Sequence, residues 1–385
     1  MPRKPEIKNL KKAAERIIEA VKSKEKIIIY GDADLDGISS AVILKETIQN
    51  LGGQVFSVFF PDRESDGYGI TEKALNQLKD MAPALLVSVD LGVGNFEEVK
   101  IAKSKGFEVV IIDHHQILGS LPEVSIIVDP KQKGDKYPFK GLATAGIVFK
   151  LSQVILGKNF SDSLKNSFLE LTALATLADL MPVAEDNEIF IESGLKTLRN
   201  TFRPGLKAFF EIFGSNTLAG NNLQKIVSAL NTCEVVDKVN QIYLLLISSS
   251  PEESKKIAQN LIDKSEKKQA QVRDIVGAAE RKITKKLMEP IIFEGDSFWP
   301  LILAGSVASI LCRKYEKPVF IFKKGENESY GSVRVPKEVN SVDAMASCSE
   351  LLITFGGHPP ASGFRLKNDN LEKFKSCLVK YFTKK

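Results

Sequence analysis

The most informative stretch of the chain is Val109-Val110-Ile111-Ile112-Asp113-His114-His115, in which four β-branched residues lead into an acid and two imidazoles. Such an apolar run is typical of a strand buried on both faces, as in a parallel sheet. Side chains at the carboxyl end of that strand open into the crevice where α/β proteins bind ligands. The chain has three histidines, and two of them lie here. The stretch therefore predicts a metal site in preference to a plain polar turn.

Strands and helices alternate on both sides of this stretch. Further strands are predicted at 26–30, 54–60, 84–90 and 125–128, with helices at 6–23, 38–50, 71–81 and 95–105. Alternation at this spacing predicts an α/β fold with a parallel, doubly wound sheet. From Ala143 to about Phe213 the pattern becomes mostly helical.

The last third of the chain has a different texture. Residues 251–290 begin and end with proline and hold mostly Lys, Glu, Gln, Ala, Ile and Leu. This composition predicts one long, exposed helix that connects two domains. Short apolar runs follow at Leu301–Leu303 and Pro318–Phe322, separated by turns. They predict strands of a second, smaller α/β domain.

The composition is 43% hydrophobic and 26% charged, as expected for a globular protein with a substantial core. No apolar run approaches the roughly 20 residues of a membrane span, and residues 1–26 show no signal-peptide pattern, so we expect a cytoplasmic protein without a membrane partner. The net charge of +5 is too small to argue for a nucleic-acid partner. The four cysteines form no C-x-x-C pair, so neither a zinc site nor a disulfide framework is predicted (Cys233, Cys312, Cys348 and Cys377).

Acidic side chains follow several predicted elements. In 31–37, with the sequence GDADLDG, three alternate acids repel one another unless a cation lies among them, and the two glycines predict a tight turn. A calcium loop is rejected because Ile43 stands where its final glutamate belongs. Asp90 and Asp113 follow two other strands, and Asp179 closes a helix. Carboxylates with one or two imidazoles favour Mn²⁺ or Mg²⁺ over zinc, and two such ions can clamp a phosphodiester.

These acidic motifs resemble, in order and spacing, the four motifs of the DHH phosphoesterases, and in particular those of the RecJ-like single-strand exonucleases. The segments concerned are 31–38, 87–92, 113–115 and 176–182. The third histidine falls in 356–363, GGHPPASG, which is similar to the GGHxxAxG signature of the DHH-associated domain. The resemblance covers nearly the whole chain.

The resemblance implies a DHH phosphoesterase domain over 1–205, a helical connector over 206–290 and a DHH-associated substrate-binding domain over 291–385. It implies a 5′ to 3′ exonuclease, such as those of DNA repair, that hydrolyses single-stranded DNA or RNA, or short oligonucleotides, to nucleoside monophosphates. Two alternatives stay open. One is a phosphodiesterase of the NrnA type, acting on nano-RNA or dinucleotides, or a pAp phosphatase. The other is a non-catalytic DHH scaffold in DNA replication. No protein partner is indicated.

The resemblance also implies residue roles. Two Mn²⁺ or Mg²⁺ ions would be held by Asp32, Asp34, Asp36, Asp90, His114 and Asp179. Asp32 is an extra ligand in this set, since Tyr30 stands where many relatives have a histidine. The catalytic residues would be His115 and Asp113. Substrate would be bound by Arg63, Ser332, Arg334, Gly356, Gly357 and His358. The segment 230–235 lacks the arginine of its RecJ counterpart, so we expect a weakened preference for a 5′-phosphate.

Overall fold

The structure is a computed structural model that describes residues 5–62, 66–117, 119–124, 126–214, 217–218, 221–232, 235–236, 239–284 and 288–383. The chain divides into two compact units, Met1–Ser265 and Glu266–Lys385. Their boundary falls within a single helix of 33 residues, Pro251–Ile283. The predicted long helix is thus confirmed, although it ends short of Pro290. The division at 205 and 290 stays a prediction.

A parallel sheet of five strands forms the centre of the first unit. The strands are β1 (Ile27–Gly31), β2 (Ser57–Phe59), β3 (Ala84–Val89), β4 (Phe107–Ile112) and β5 (Ile126–Val128). Their order in the sheet is β2-β1-β3-β4-β5, and every pairing is parallel. The predicted doubly wound sheet is therefore confirmed.

Helices cover both faces of this sheet. The helices of the first unit are α1 (Leu10–Lys22), α2 (Leu35–Asn50), α3 (Glu72–Leu78), α4 (Phe96–Ser104), α5 (Thr144–Leu156), α6 (Asp162–Ala178), α7 (Glu185–Leu198), α8 (Pro204–Phe213), α9 (Asn221–Leu230), α10 (Gln241–Ile247) and the start of α11 (Pro251–Ile283). The unit also has a small hairpin of β6 (Val235–Val236) and β7 (Val239–Asn240). Successive residues of β4 enter different cores: Val110 and Ile112 pack with the cluster of α1, α2 and α5, whereas Val109 and Ile111 pack with that of α3 and α4. Burial on both faces is the reason why the strand sequence is a continuous apolar run.

The strand order gathers the acids at one edge. Asp32, Asp90 and Asp113 each lie just beyond the carboxyl end of a strand, at β1, β3 and β4 respectively. The chain leaves β1 toward β2 on one side and returns at β3 on the other. A crevice opens at such a reversal, outside the carboxyl ends of the strands. The topology therefore directs these carboxylates into one crevice.

The second unit has a mixed sheet. Beside the end of α11 it contains β8 (Ile292–Asp296), α12 (Leu301–Tyr315), β9 (Val319–Lys324), β10 (Glu328–Arg334), α13 (Ser341–Ala346), β11 (Thr354–His358), β12 (Ala361–Lys367) and α14 (Leu371–Thr383). The strand order is β11-β12-β10-β9-β8, and only the pair β8–β9 is parallel. The strand predicted at Leu301–Leu303 is wrong, because these residues begin α12, whose buried face repeats at helical spacing through Leu311.

The second unit also contains a disulfide that the sequence analysis did not predict. Cys348 and Cys377, with Cα atoms 6.1 Å apart, join the segment after α13 to α14. The pair lies 29 residues apart in the chain, so its proximity depends on tertiary packing. Cys312 is buried and free, and Cys233 lies outside the described residues. None of the described helices combines the length and apolar composition that crossing a membrane requires.

The packing of α6 against α7 gives a stability prediction. A Cβ on Gly194 would lie 2.2 Å from the Leu169 carbonyl oxygen and 2.6 Å from Ala173 Cβ. We expect Gly194→Ala to lower the free energy of unfolding by about 1–3 kcal/mol, since overpacking outweighs the gain in helix propensity. Urea unfolding followed by circular dichroism measures it. The control is Ser193→Ala on the same helix, expected within about 0.5 kcal/mol of wild type. A Gly194→Ala chain as stable as wild type would show that the two helices separate easily.

Candidate metal centre

The end of β1 and the first turn of α2 position three of the acids, Asp32, Asp34 and Asp36. Asp34 is the N-cap of α2, and its Oδ1 accepts hydrogen bonds of 3.1 Å from the backbone N–H groups of Asp36 and Gly37. A Cβ on Gly37 would lie 2.4 Å from the Asp32 carbonyl oxygen, so this position requires glycine. The predicted glycine turn is thus partly wrong: Leu35 already begins α2. Capping by Asp34 starts the helix earlier than the apolar pattern suggested.

The N-terminus of α5 holds Asp36 and Asp90. The two oxygens of Asp36 accept hydrogen bonds of 2.8 Å from the N–H groups of Thr144 and Ala145. The Thr144 hydroxyl donates to Asp90 Oδ1 at 2.9 Å. A helix N-terminus stabilises nearby negative charge. The sequence analysis missed Thr144, which no local motif marks, because its role depends on where α5 begins.

Asp90 has an unusual backbone. Its φ is 67°, in the left-handed region that side-chain-bearing residues rarely adopt. The side chain is only 2% exposed, and Oδ1 lies 3.4 Å from His114 Nε2. Such conformations cluster at functional sites, where the surroundings enforce them.

His114 shows that the cluster suits a cation. Its Nδ1 lies 3.0 Å from the Leu142 carbonyl oxygen, which can only accept, so Nδ1 donates there and Nε2 is left to face the carboxylates. Nε2 lies 3.4 Å from Asp90 Oδ1, 3.4 Å from Asp179 Oδ2 and 3.9 Å from Asp36 Oδ2. Three carboxylates around one ring nitrogen require positive charge among them, and a divalent cation can supply it. A backbone carbonyl that orients a histidine in this way is usual behind metal ligands.

All six predicted ligands come together. Three sets of side chains each offer ligand atoms within 4.8 Å of one another, and these sets are Asp32, Asp34 and Asp90; Asp36, His114 and Asp179; and Asp90, His114 and His115. Asp90 and His114 each belong to two of the sets. Asp179 Oδ2 is buried and has no hydrogen-bond partner among the described residues. The donor set fits Mn²⁺ or Mg²⁺.

Burial and mutual repulsion oppose ionisation of these acids. Burial, reinforced by the charge of Asp34, raises the pKa of Asp36 to about 7. Burial and then Asp36 raise the pKa of Asp90 well above its usual range, and the same two causes act on Asp179. The free energy of these carboxylates is therefore high without a compensating charge. A divalent cation supplies that charge.

Asp113 and His115 form a separate pair beside the cluster. Asp113 is buried, and Oδ1 accepts from His115 Nδ1 at 2.7 Å and from the N–H groups of His114 and His115. Burial alone would raise the pKa of Asp113, but the charge and hydrogen bond of His115 lower it below its usual range. In the same way Asp113 overcomes burial and raises the pKa of His115 to about 9. The His115 Nε2 faces the Tyr68 hydroxyl at 3.1 Å.

The sequence analysis also missed two residues beyond β5. Asp129 is fully buried, and Lys131 donates its ammonium to the carbonyl oxygen of His114. Burial, and then the charge of Asp113, raises the pKa of Asp129 to about 7. An acid after the short fifth strand was the available signal, because the three inner strands of the sheet are also followed by acids.

Tyr30 lies away from the metal cluster. Its side chain is buried in the core of α3 and α4, and its hydroxyl donates to the Gly69 carbonyl oxygen at 3.0 Å. Asp32 lies within the cluster and is 1% exposed. This placement is compatible with Asp32 as the extra ligand, which stays a prediction.

The predicted substrate-binding residues of the second unit fall in two places. Ser332 and Arg334 lie on one face of β10, above Gly305 of α12, where an added Cβ would be 3.1 Å from an Arg334 nitrogen and 3.7 Å from the Ser332 hydroxyl. Arg334 donates to the Val333 carbonyl oxygen at 2.8 Å, and among the described residues no carboxylate pairs with it. Burial lowers its pKa. Gly305, which sequence reasoning missed, leaves room for the Arg334 side chain to lie against α12.

The remaining predicted residues are in a strand or beyond the described part of the chain. Gly356 and Gly357 lie in β11, an edge strand. Gly357 has φ 135°, and a Cβ there would lie 2.5 Å from the Ala361 carbonyl oxygen. His358 ends the same strand, but its side chain is outside the description, as is Arg63.

Comparison with known proteins agrees with this architecture. Residues 26–176 match the DHH family, N-terminal domain, and residues 289–384 match the DHHA1 domain. The first segment is therefore a domain of the DHH family, and the second is a DHHA1 domain.

Within that family the chain is similar to the single-stranded-DNA-specific exonuclease RecJ of Bacillus subtilis, with 33% identity over 379 residues. That alignment covers 97% of this chain and 48% of the relative, so the chain spans about half its length. A crystal structure of RecJ bound to manganese matches with a TM-score of 0.77 and 24% identity, over 99% of this chain and 96% of that one. RecJ from Thermus thermophilus in complex with Mn²⁺ matches with a TM-score of 0.81 and 23% identity, over 100% of this chain and 55% of that one. These likenesses establish the fold.

Charge in the cluster can be tested without any reaction. In EDTA at pH 8, we expect Asp90→Asn to raise the free energy of unfolding by about 1–3 kcal/mol. The pKa of Asp90 is raised in the folded state, so its ionisation destabilises the fold as the pH rises above the ordinary aspartate range. Asparagine removes that charge and tolerates the left-handed φ. Chemical denaturation is the measurement.

The control is Asp113→Asn, for which we expect the free energy of unfolding to fall instead of rise. The pKa of Asp113 is lowered, so its ionised form stabilises the folded protein, and we expect a loss of about 2–3 kcal/mol at the same pH. Adding Mn²⁺ should stabilise wild type more than Asp90→Asn. Destabilisation of the metal-free chain by Asp90→Asn would contradict the repulsive cluster.

Proposed function

We propose that this chain is a metal-dependent 5′ to 3′ exonuclease that hydrolyses phosphodiesters of single-stranded nucleic acid to nucleoside monophosphates. The observation that carries this proposal is the set of buried carboxylates around His114 Nε2. The similarity to RecJ, which is named as specific for single-stranded DNA, supports the substrate class. Catalysis is assigned to 1–205, connection to 206–290 and substrate binding to 291–385.

We assign two Mn²⁺ or Mg²⁺ ions to the ligand set Asp32, Asp34, Asp36, Asp90, His114 and Asp179. When bound, such ions lower the pKa of a bridging water and neutralise charge on the phosphate. The protein contributes a prearranged site: Thr144 and Ala145 fix Asp36, and the Leu142 carbonyl fixes the tautomer of His114. Fixed ligands need no reorganisation when charge develops on the phosphate.

His115 is assigned to the scissile phosphate. Asp113 holds its Nδ1, which leaves Nε2 directed away from Asp113, toward the Tyr68 hydroxyl. An N–H donor there can bind a non-bridging phosphate oxygen or deliver a proton to the leaving oxygen. Asp113 acts as a positioning residue that fixes the ring of His115.

We assign the terminal 5′-phosphate to Arg334 and Ser332, together with Arg63. Arg334 is a partly buried cation that among the described residues contacts no carboxylate, and a partner of opposite charge would offset its burial. Its planar fork suits phosphate oxygens, and the Ser332 hydroxyl adds a donor. Gly356, Gly357 and His358 stay assigned to substrate phosphate or base.

The two alternatives differ from this proposal in what they require. A non-catalytic scaffold gains nothing from buried carboxylates that repel one another, so the cluster argues against it. A phosphodiesterase for dinucleotides or a pAp phosphatase would use the same metal cluster. Incubation with Mn²⁺ and end-labelled oligonucleotides of several lengths, in DNA and RNA form, separates it from an exonuclease by the dependence of rate on length.

Histidine substitutions test the assigned roles. We expect chelation to abolish hydrolysis and Mn²⁺ to restore it. His114→Ala should lose bound metal, because its Nε2 is a ligand, whereas His115→Ala should keep the metal and lower turnover by roughly 10²–10⁴-fold. Elemental analysis of the purified variants and single-turnover cleavage are the measurements. Equal metal loss in the two variants would show that their roles are misassigned, and chelator-resistant hydrolysis would remove the metal mechanism.

Arg334 tests end recognition. We expect Arg334→Ala to reduce the preference for a 5′-phosphate over a 5′-hydroxyl by roughly one to two decades, because a charge-assisted hydrogen bond contributes about 1.5–3 kcal/mol. Cleavage of the 5′-hydroxyl substrate should change little. The ratio of the two cleavage rates in wild type and variant is the measurement.

The control is Arg365→Ala, an arginine of β12 in the same sheet that pairs with Glu328 and is partly exposed. This variant should keep the wild-type ratio. If Arg334→Ala slows both substrates equally, the residue serves the fold or general backbone binding, and the assignment to the terminal phosphate is wrong.

A further inference from the structure

Tyr68 is an exposed aromatic residue at the edge of the candidate metal centre. It is 56% exposed, and its hydroxyl lies 3.1 Å from His115 Nε2. The two rings meet edge to face, with centroids 6.3 Å apart. Isolated exposed apolar residues are common and need no explanation. Tyr68 differs because it directly contacts a residue of the site.

The segment that carries Tyr68 is fixed by buried groups. Gly67 and Gly69 flank it with φ of 91° and 84°, and a Cβ on Gly69 would lie 2.8 Å from the Asn95 side-chain oxygen. Asn95 makes two hydrogen bonds of 3.1 Å with the backbone of Ile70. The buried Tyr30 hydroxyl donates to the Gly69 carbonyl at 3.0 Å. The fold therefore holds the Tyr68 ring in an exposed position.

We infer that the Tyr68 ring stacks on the nucleobase of a nucleotide flanking the scissile phosphate. The inference rests on the proposed function, in which His115 Nε2 contacts that phosphate. A ring whose hydroxyl reaches the same nitrogen lies close enough to meet an adjacent base. Aromatic rings beside a phosphate-binding groove are the usual means of holding single strands, and stacking tolerates every base. Tyr68 thus requires a base at this nucleotide without selecting which one.

Tyr30 helps to hold the backbone of the segment that carries Tyr68. Its hydroxyl bond to Gly69 links the core of α3 and α4 to the backbone beside Tyr68. A ligand-binding segment whose backbone is already held in place loses less conformational entropy when a ligand binds. The arrangement therefore favours stacking over an adaptable contact.

Abasic substitution tests the inference on the full chain with Mn²⁺. The substrates are single-stranded oligonucleotides with a normal base or an abasic residue on either side of the first scissile phosphate. On one of those two sides, we expect wild type to cleave the abasic strand about 5- to 150-fold more slowly, the range for one stacked base. Tyr68→Phe should keep this discrimination because it keeps the ring. Tyr68→Ala should lose it.

The matched control is Phe56→Ala. Phe56 is 53% exposed and precedes β2, at the edge of the sheet opposite the metal cluster. This variant should retain the wild-type discrimination. Thermal unfolding of each variant establishes that the chain is folded. Fluorescence of 2-aminopurine at the same nucleotide, measured in EDTA, reports stacking without turnover: it should be quenched by wild type and Tyr68→Phe but not by Tyr68→Ala.

The outcomes separate the inference from the function on which it rests. Undiminished discrimination and quenching in Tyr68→Ala overturn the stacking role and leave the exonuclease proposal intact. Equal loss in Tyr68→Phe and Tyr68→Ala assigns the effect to the hydroxyl and also overturns stacking. A wild-type chain that hydrolyses no oligonucleotide overturns the proposed function, and the inference with it.

Discussion

The structure of the first unit depends on holding several carboxylates close together and out of contact with water. Asp36 and Asp90 are almost completely buried, and with Asp179 they face His114 Nε2. Coulomb repulsion and lost hydration both raise the free energy of this arrangement, and burial raises it further as the local dielectric falls. A fold maintains such a cluster only where other interactions compensate, and the surroundings of these acids supply them.

Part of the compensation comes from the backbone. The N-terminus of α5 donates two N–H groups to Asp36, and the Asp34 carboxylate caps α2. The left-handed backbone at Asp90 raises the free energy of the fold further. It occurs at a carboxylate that belongs to two of the three candidate ligand sets. These contacts fix the ligands but leave the net negative charge, so a divalent cation completes the site.

In the second unit, the partly buried group of interest is a cation and not a set of carboxylates. Arg334 lies partly buried over Gly305, and among the described residues no carboxylate pairs with it. The two features agree with the proposed function. A carboxylate cluster binds metal ions that contact phosphate, and a guanidinium group binds phosphate oxygens directly. Conventional cores surround both features: the five-stranded sheet in the first unit, and the mixed sheet with its disulfide in the second.

Much of this could be predicted from the sequence, for reasons that are local. Apolar runs followed by acids marked β1, β3 and β4, because a strand buried on both faces must be apolar and its carboxyl end must not. The acids and histidines formed short motifs whose resemblance to a known family gave six predicted ligands, and these side chains lie together. Thr144, Gly305 and Tyr68 were not identified, since each matters through contacts with residues far away in the chain. The Cys348–Cys377 bond was missed for the same reason, whereas the helix beginning at Leu301 was mispredicted although its buried face repeats at helical spacing. Side-chain chemistry and periodicity are properties of neighbouring residues, whereas the direction of a lone pair, a helix N-terminus or a missing Cβ acquires meaning only once distant segments pack.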